Sequence, residues 1–135
     1  MSGLRMGKAE KLCSRTAITR LFDTGKSSVA YPLRIVMAES ARKEGATAQF
    51  MITVPKKKIR KAVGRVLIRR RIREAYRLNR RLFLPQLEKS GVKMDIAFIY
   101  IAQELSEYSL IERKMQKLLE AIGAKYDSDD DAENS

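Results

Sequence analysis

The chain has 135 residues, 44% of them hydrophobic, and a formal net charge of +12. That fits one globular domain with a real core and excludes a disordered chain. There is no histidine and one cysteine, Cys13, which excludes histidine acid–base chemistry, histidine or thiolate metal sites and a disulfide staple.

In chain order, residues 1–10 read as a flexible arm. Ser14 is an N-cap for a short helix through Thr24, with Ala17, Ile18, Leu21 and Phe22 at helical spacing and Gly25 as its stop. Val29 to Ala38 reads as a strand with Pro32 near its start. Glu39 to Ala46 is a polar loop containing Gly45, and Thr47 to Val54 alternates as a second strand. Met94 to Ile101 is apolar on both alternating sets, the pattern of an interior strand covered on both faces. Ser106 opens a last helix with an apolar stripe from Leu110 to Ile122, ended by Gly123. Residues 124–135 form an acidic tail expected to be disordered, with five acids from Asp127 onward. The longest apolar run, Ile96 to Ala102, is too short to span a bilayer, and no signal-peptide pattern opens the chain. The expectation is a cytoplasmic protein with no membrane partner.

The charge is concentrated. From Lys56 to Arg81 there are 13 Lys and Arg against one acid, Glu74, while the rest of the chain carries 15 bases and 15 acids. Such a field calls for a polyanion, with nucleic acid favoured over an anionic membrane surface. On a helical wheel over Lys61 to Phe83, Ile68, Ile72, Ala75, Tyr76, Leu82 and Phe83 share one arc. Arg69, Arg70, Arg73, Arg77, Arg80 and Arg81 share another. A solvated charged face would intersperse acids among its bases, and this one has only Glu74. Arginine outnumbers lysine on the helix, which favours forked contacts to phosphate. Phe22 is equally well read as core or as a stacking platform for an unpaired base. No phosphate-binding glycine loop is present, and Asp23 and Asp95 are acids with no required meeting point. No catalytic or metal-ligating residue is therefore assigned.

The run Lys61-Ala62-Val63-Gly64-Arg65-Val66-Leu67-Ile68-Arg69-Arg70-Arg71-Ile72-Arg73-Glu74-Ala75-Tyr76-Arg77 resembles the signature of the ribonuclease P protein family. That signature has an Ala-Val pair, Arg-Asn-Arg, a basic pair, then Arg-Glu-Ala-Phe or Tyr. Lys11-Leu12 through Phe22 and Gly25, Phe50 to Val54 with Pro55-Lys56-Lys57, and Asp95 to Ile99 fit around it. The resemblance spans roughly residues 10 to 122, within a domain expected at 11–123. It implies an α/β (α+β) two-layer sandwich of order α-β-β-β-α-β-α with a left-handed β-α-β crossover. It implies a catalytic RNA as partner, held by Lys56, Lys57, Lys58, Arg60, Lys61, Arg65, Arg69, Arg70, Arg73 and Arg77. It also implies that precursor tRNA lays its 5′ leader in a cleft at Ile18, Phe22, Arg34 and Val36. Mg²⁺ would be bound mainly by the RNA, with no cofactor on the protein and no DNA partner. Three places depart from the pattern. Val66 and Leu67 replace the Asn-Arg pair, Ile18 stands where relatives often carry phenylalanine, and Val36 stands near where they often carry tyrosine. A plain structural RNA-binding protein, of the kind found in ribosomes, remains the alternative.

Overall fold

The computed structural model describes residues 10–134. In order, the elements are α1 (Arg15–Thr24), β1 (Lys26–Ala30), β2 (Leu33–Glu39), β3 (Ala48–Thr53), α2 (Ala62–Asn79), α3 (Leu84–Ser90), β4 (Met94–Tyr100) and α4 (Tyr108–Asn134). The four strands form one sheet in the order β1-β2-β4-β3. β1–β2 and β2–β4 are antiparallel and β3–β4 is parallel. A parallel pair cannot be joined by a hairpin, so the chain leaves β3, crosses through α2 and α3, and returns as β4.

Strand alternation sorts the core. Leu33 and Ile35 of β2, Phe50 of β3 and Ile96, Phe98 and Tyr100 of β4 pack with Ile68, Ile72 and Tyr76 of α2 and Ile111, Met115 and Leu119 of α4. Phe50, Tyr76 and Phe98 form its aromatic centre, with Phe50 and Tyr76 ring centroids 4.4 Å apart. This sheet-on-helices sandwich is the body of the fold. On the other face Leu21 of α1 packs with Leu12, Val36 and Ala97, so β4 is covered on both sides, as its apolar run from Ile96 onward requires.

Several elements differ from the sequence reading. The strand expected over Val29 to Ala38 is two strands, β1 and β2, joined through Tyr31-Pro32, whose peptide bond is cis. The basic helix stops at Asn79 and gives way to a 3₁₀ turn, Arg80–Leu82, and then to α3. α3 carries its own punctuation, with Pro85 in the first turn and Gly91 in the left-handed conformation at its end.

Gly123 does not end the last helix, and the tail expected to be disordered is helical through Asn134. The glycine is there for space. A Cβ at this position would collide with the Leu82 carbonyl oxygen, so α4 can pass close to the 3₁₀ turn only without one. Beyond it, Tyr126 is buried and its hydroxyl donates to Glu39 Oε2 at 3.1 Å. Gly25 works the same way. Its φ is an ordinary −71°, and a side chain there would strike Leu21 O and Val36 Cγ1. Of the expected arm, residues 1–9 lie outside the described residues. Glu10 is ordered by an ion pair with Arg80 at 2.5 Å.

Candidate nucleic-acid interface

The basic segment begins as a folded loop. The Lys58 and Ile59 amides donate to the Pro55 carbonyl, and Ile59 is buried as an anchor. Arg65, one turn into α2, reaches back and donates through Nη1 to the carbonyls of Ile59 at 3.0 Å and Arg60 at 2.7 Å. Loop and helix are thereby one surface, with Lys56, Lys57, Arg60 and Lys61 exposed and Lys58 half-buried.

α2 is oriented by the residues it buries, Gly64, Ile68, Ile72, Ala75 and Tyr76. Opposite them, Val66, Arg70 and Arg73 form an exposed stripe, one to two turns apart, with Arg69 half-exposed beside it. The side chains of Arg69, Arg70 and Arg73 make no hydrogen bond or ion pair with any described residue. They are mutually repulsive cations held without acids between them, an arrangement suited to phosphate. Val66 is 51% exposed within this stripe, so the departure from the family pattern does lie on the basic face.

Not every arginine of the wheel belongs there. Arg77 is forked onto Glu74, at 2.9 and 2.7 Å, and is half-exposed. That bond holds the Glu74 carboxyl below its ordinary value and raises the Arg77 guanidinium. Arg71 donates to the Ser106 carbonyl at 2.6 Å. Arg80, placed in the arginine arc by a continuous wheel, is buried against Glu10. The continuous wheel fails at this position because the α-helix ends at Asn79 and Arg80 opens a 3₁₀ turn, where it is buried while Arg81 stays exposed.

A second surface lies on the opposite side of the sheet, beside α1. Ile18 is half-buried against the smaller core cluster, and Phe22 is 46% exposed. Arg34 is exposed, with Nε donating to Ser27 Oγ at 3.2 Å. Val36 is only 5% exposed beneath α1, so it is a floor residue and offers no stacking platform. Val29 and Tyr31 are exposed here or at the adjoining turn, and the sequence reading missed both. Their signal was present: Val29 pairs with Arg34 once the strand is divided at Tyr31-Pro32, which puts both on one sheet face.

Among the described residues no group of three or more His, Cys, Asp and Glu side chains is placed to hold a metal ion. Asp95 is buried and taken by Arg42 Nη1 at 2.5 Å. Arg42, on the 40–47 loop, also donates to the Ala46 and Met94 carbonyls, which ties that loop to the start of β4. No described helix is long and apolar enough to cross a membrane.

The family model described as Ribonuclease P matches residues 6–123. The chain belongs to the ribonuclease P protein family. A ribonuclease P protein component from Porphyromonas gingivalis is 37% identical over 123 residues, covering 91% of this chain and 90% of that one. One from Chlorobium phaeobacteroides is 28% identical, covering 90% and 92%. Among solved structures, the RNase P protein of Thermotoga maritima superposes with a TM-score of 0.66 at 22% identity, over 84% of this chain and 97% of that one. A Staphylococcus aureus RNase P protein mutant gives 0.67 at 20% identity, over 84% and 88%. These two share the fold, so the α+β sandwich of order α-β-β-β-α-β-α is a ribonuclease P protein fold, here with the short α3 inside the crossover.

Proposed function

We propose that this chain is the protein subunit that grips the RNA of ribonuclease P and guides the 5′ leader of precursor tRNA, while the RNA carries the chemistry that frees the mature tRNA 5′ end. The observation that carries this reading is the row of unpartnered arginines at Arg69, Arg70 and Arg73, continued by the Lys56–Lys61 loop. These cations neutralise phosphates and release counterions, the sequence-independent part of nucleic-acid affinity. Arg65 holds the loop in place. Arg77 can serve only by sharing its guanidinium with Glu74.

The α1 surface is the proposed leader cleft. Phe22 offers a ring for an unpaired base, Arg34 a cation for its phosphate, and Ile18 an apolar wall. With Val36 buried, base stacking rests on Phe22 more than in relatives with aromatics at both of the other positions. The described residues do not fit a metal site on the protein. Mg²⁺ is assigned to the RNA, where it supplies Lewis-acid chemistry when bound. The protein's part is binding and positioning, and its setting is the cytoplasm.

The test is reconstitution with the organism's own ribonuclease P RNA and precursor tRNA at low Mg²⁺. The expected result is leader removal that needs the RNA and is stimulated by the protein. Cleavage by the protein alone would contradict the reading, and RNA binding without stimulation would indicate a purely structural RNA-binding protein.

A further inference from the structure

The α2 N-terminus and the 101–107 loop enclose a groove of about 350 Å³. Its apolar wall is Ile59, Val63 and Leu105, and its rim is Lys58, Arg60 and Lys61, with no acid in the lining. Val63 is 79% exposed and Leu105 50%. Exposed apolar side chains are ordinary singly, but two facing one groove inside a strongly cationic surface call for an explanation.

The groove is built. Tyr100, fully buried, donates from its hydroxyl to the Glu104 carbonyl, receives the Ser106 amide at 3.0 Å and shares a hydrogen bond with Ser106 Oγ at 2.7 Å. Arg71 fastens the Ser106 carbonyl from α2. The loop carrying Leu105 is therefore fixed to β4 by Tyr100 and to the basic helix by Arg71. Gly64 lets them meet, since a Cβ there would sit 2.9 Å from Ile59 Cγ2 and 3.3 Å from Leu105 Cδ2.

We infer that this groove receives one unpaired nucleotide of the bound RNA. The base would lie on Val63 and Leu105, its phosphate among Lys58, Arg60 and Lys61. Charge complementarity selects the occupant: an apolar wall alone would suit a peptide, but a rim of three cations without an acid suits an apolar ring tethered to phosphate. Gln103, also in the lining, offers both a donor and an acceptor to a base edge. A paired duplex has no free base to insert and would meet only the rim. This inference rests on the proposed RNA-gripping role and adds to it a reader of unpaired structure, separate from the α1 cleft on the other side of the sheet.

The test uses the full chain and two synthetic RNA hairpins, one fully paired and one identical but for a single bulged nucleotide. The wild-type chain is expected to prefer the bulged hairpin by about tenfold, the lower part of the range for one stacked base. Val63→Ser with Leu105→Ser, and Val63→Ser alone as the milder variant, should lose that preference while binding the paired hairpin as before. A photo-reactive thiouridine at the bulge should cross-link near Val63 or Leu105. Equal binding of the two hairpins by the wild-type chain, or cross-links on α1 or β1 instead, would overturn the groove and leave the basic face standing. A wild-type dimer that the serine variants abolish, without bulge preference, would overturn it in favour of a second copy as occupant. Failure to bind either hairpin would overturn the basic-face reading together with the groove.

Discussion

The two ends of α2 use the same residue type for opposite purposes. At the N-terminal end and middle, Arg69, Arg70 and Arg73 stand without partners beside exposed lysines. At the C-terminal end the side chains of Glu74, Arg77, Asn79 and Arg80 are all engaged. Arg77 is forked onto Glu74, and Arg80 is buried on Glu10. The buried Asn79 donates through Nδ2 to Ala75 O and Glu112 Oε2 and receives Gln116 Nε2, joining α2 to α4. A charge census treats all these arginines alike. Their surroundings divide them into cations offered to a partner and cations that hold the fold.

The comparison breaks most visibly at Arg80. Arg80→Ala leaves the half-buried Glu10 carboxylate without its guanidinium and should cost about 1.5–3 kcal/mol of stability. Arg70→Ala and Arg73→Ala, on exposed positions, should change stability by less than about 0.5 kcal/mol. Chemical denaturation of the three variants checks this, and equal losses would erase the distinction between the two ends. Next in size is Gly123→Ala, which forces a methyl group into the Leu82 carbonyl. Overpacking of this kind costs about 1–3 kcal/mol, against a gain of at most about 1 kcal/mol from helix propensity. The expected net is a lower melting temperature, with α4 and the 3₁₀ turn pushed apart.

A smaller effect sharpens the N-terminal end. Val66→Asn with Leu67→Arg restores hydrogen-bonding groups and one cation on or beside the exposed stripe. RNA affinity should rise about tenfold, in line with one added charge-assisted contact of about 1.5 kcal/mol. No change in affinity or in its salt dependence would show that Arg69, Arg70 and Arg73 already supply what the pair supplies elsewhere. The smallest effect is alkaline. Burial and the neighbouring Glu112 push the Tyr108 hydroxyl up to about 12 from an ordinary 10.0, and burial also raises Tyr76. The folded state resists losing these protons, so their contribution is intact below about pH 10 and is lost as the pH rises toward 12 and beyond. Stability should fall over that interval, and Tyr108→Phe should flatten the fall.

Much of this was legible in the sequence, for identifiable reasons. Ser14 capped α1 as its type requires, accepting the Ala17 amide at 3.2 Å. The apolar arc from Ile68 to Tyr76 gave the buried face of α2, and the double-sided run at Met94 to Tyr100 gave the central strand. The failures came where a local symbol had a non-local cause. Gly123 resembles a helix stop, but its reason is the Leu82 carbonyl on another element. Arg80 resembles a surface cation, but Glu10 lies 70 positions away in the chain. Arg42 sat in a polar loop with nothing to announce Asp95. Val36 fell at the family's cleft position, and only the placement of α1 shows that it is covered. The groove at Val63 and Leu105 joins two segments about 40 residues apart, so no periodicity could reveal it.

The central claim is that the unpartnered stripe on α2 is the grip on RNA. The direct measurement is the salt dependence of binding to ribonuclease P RNA for the wild-type chain, Arg70→Ala, Arg73→Ala and their double variant. The slope of log K against log salt should shrink by about 0.7–0.9 for each arginine removed, and by about twice that in the double variant. Slopes indistinguishable from wild type in all three variants would place the RNA elsewhere on the molecule and contradict the account.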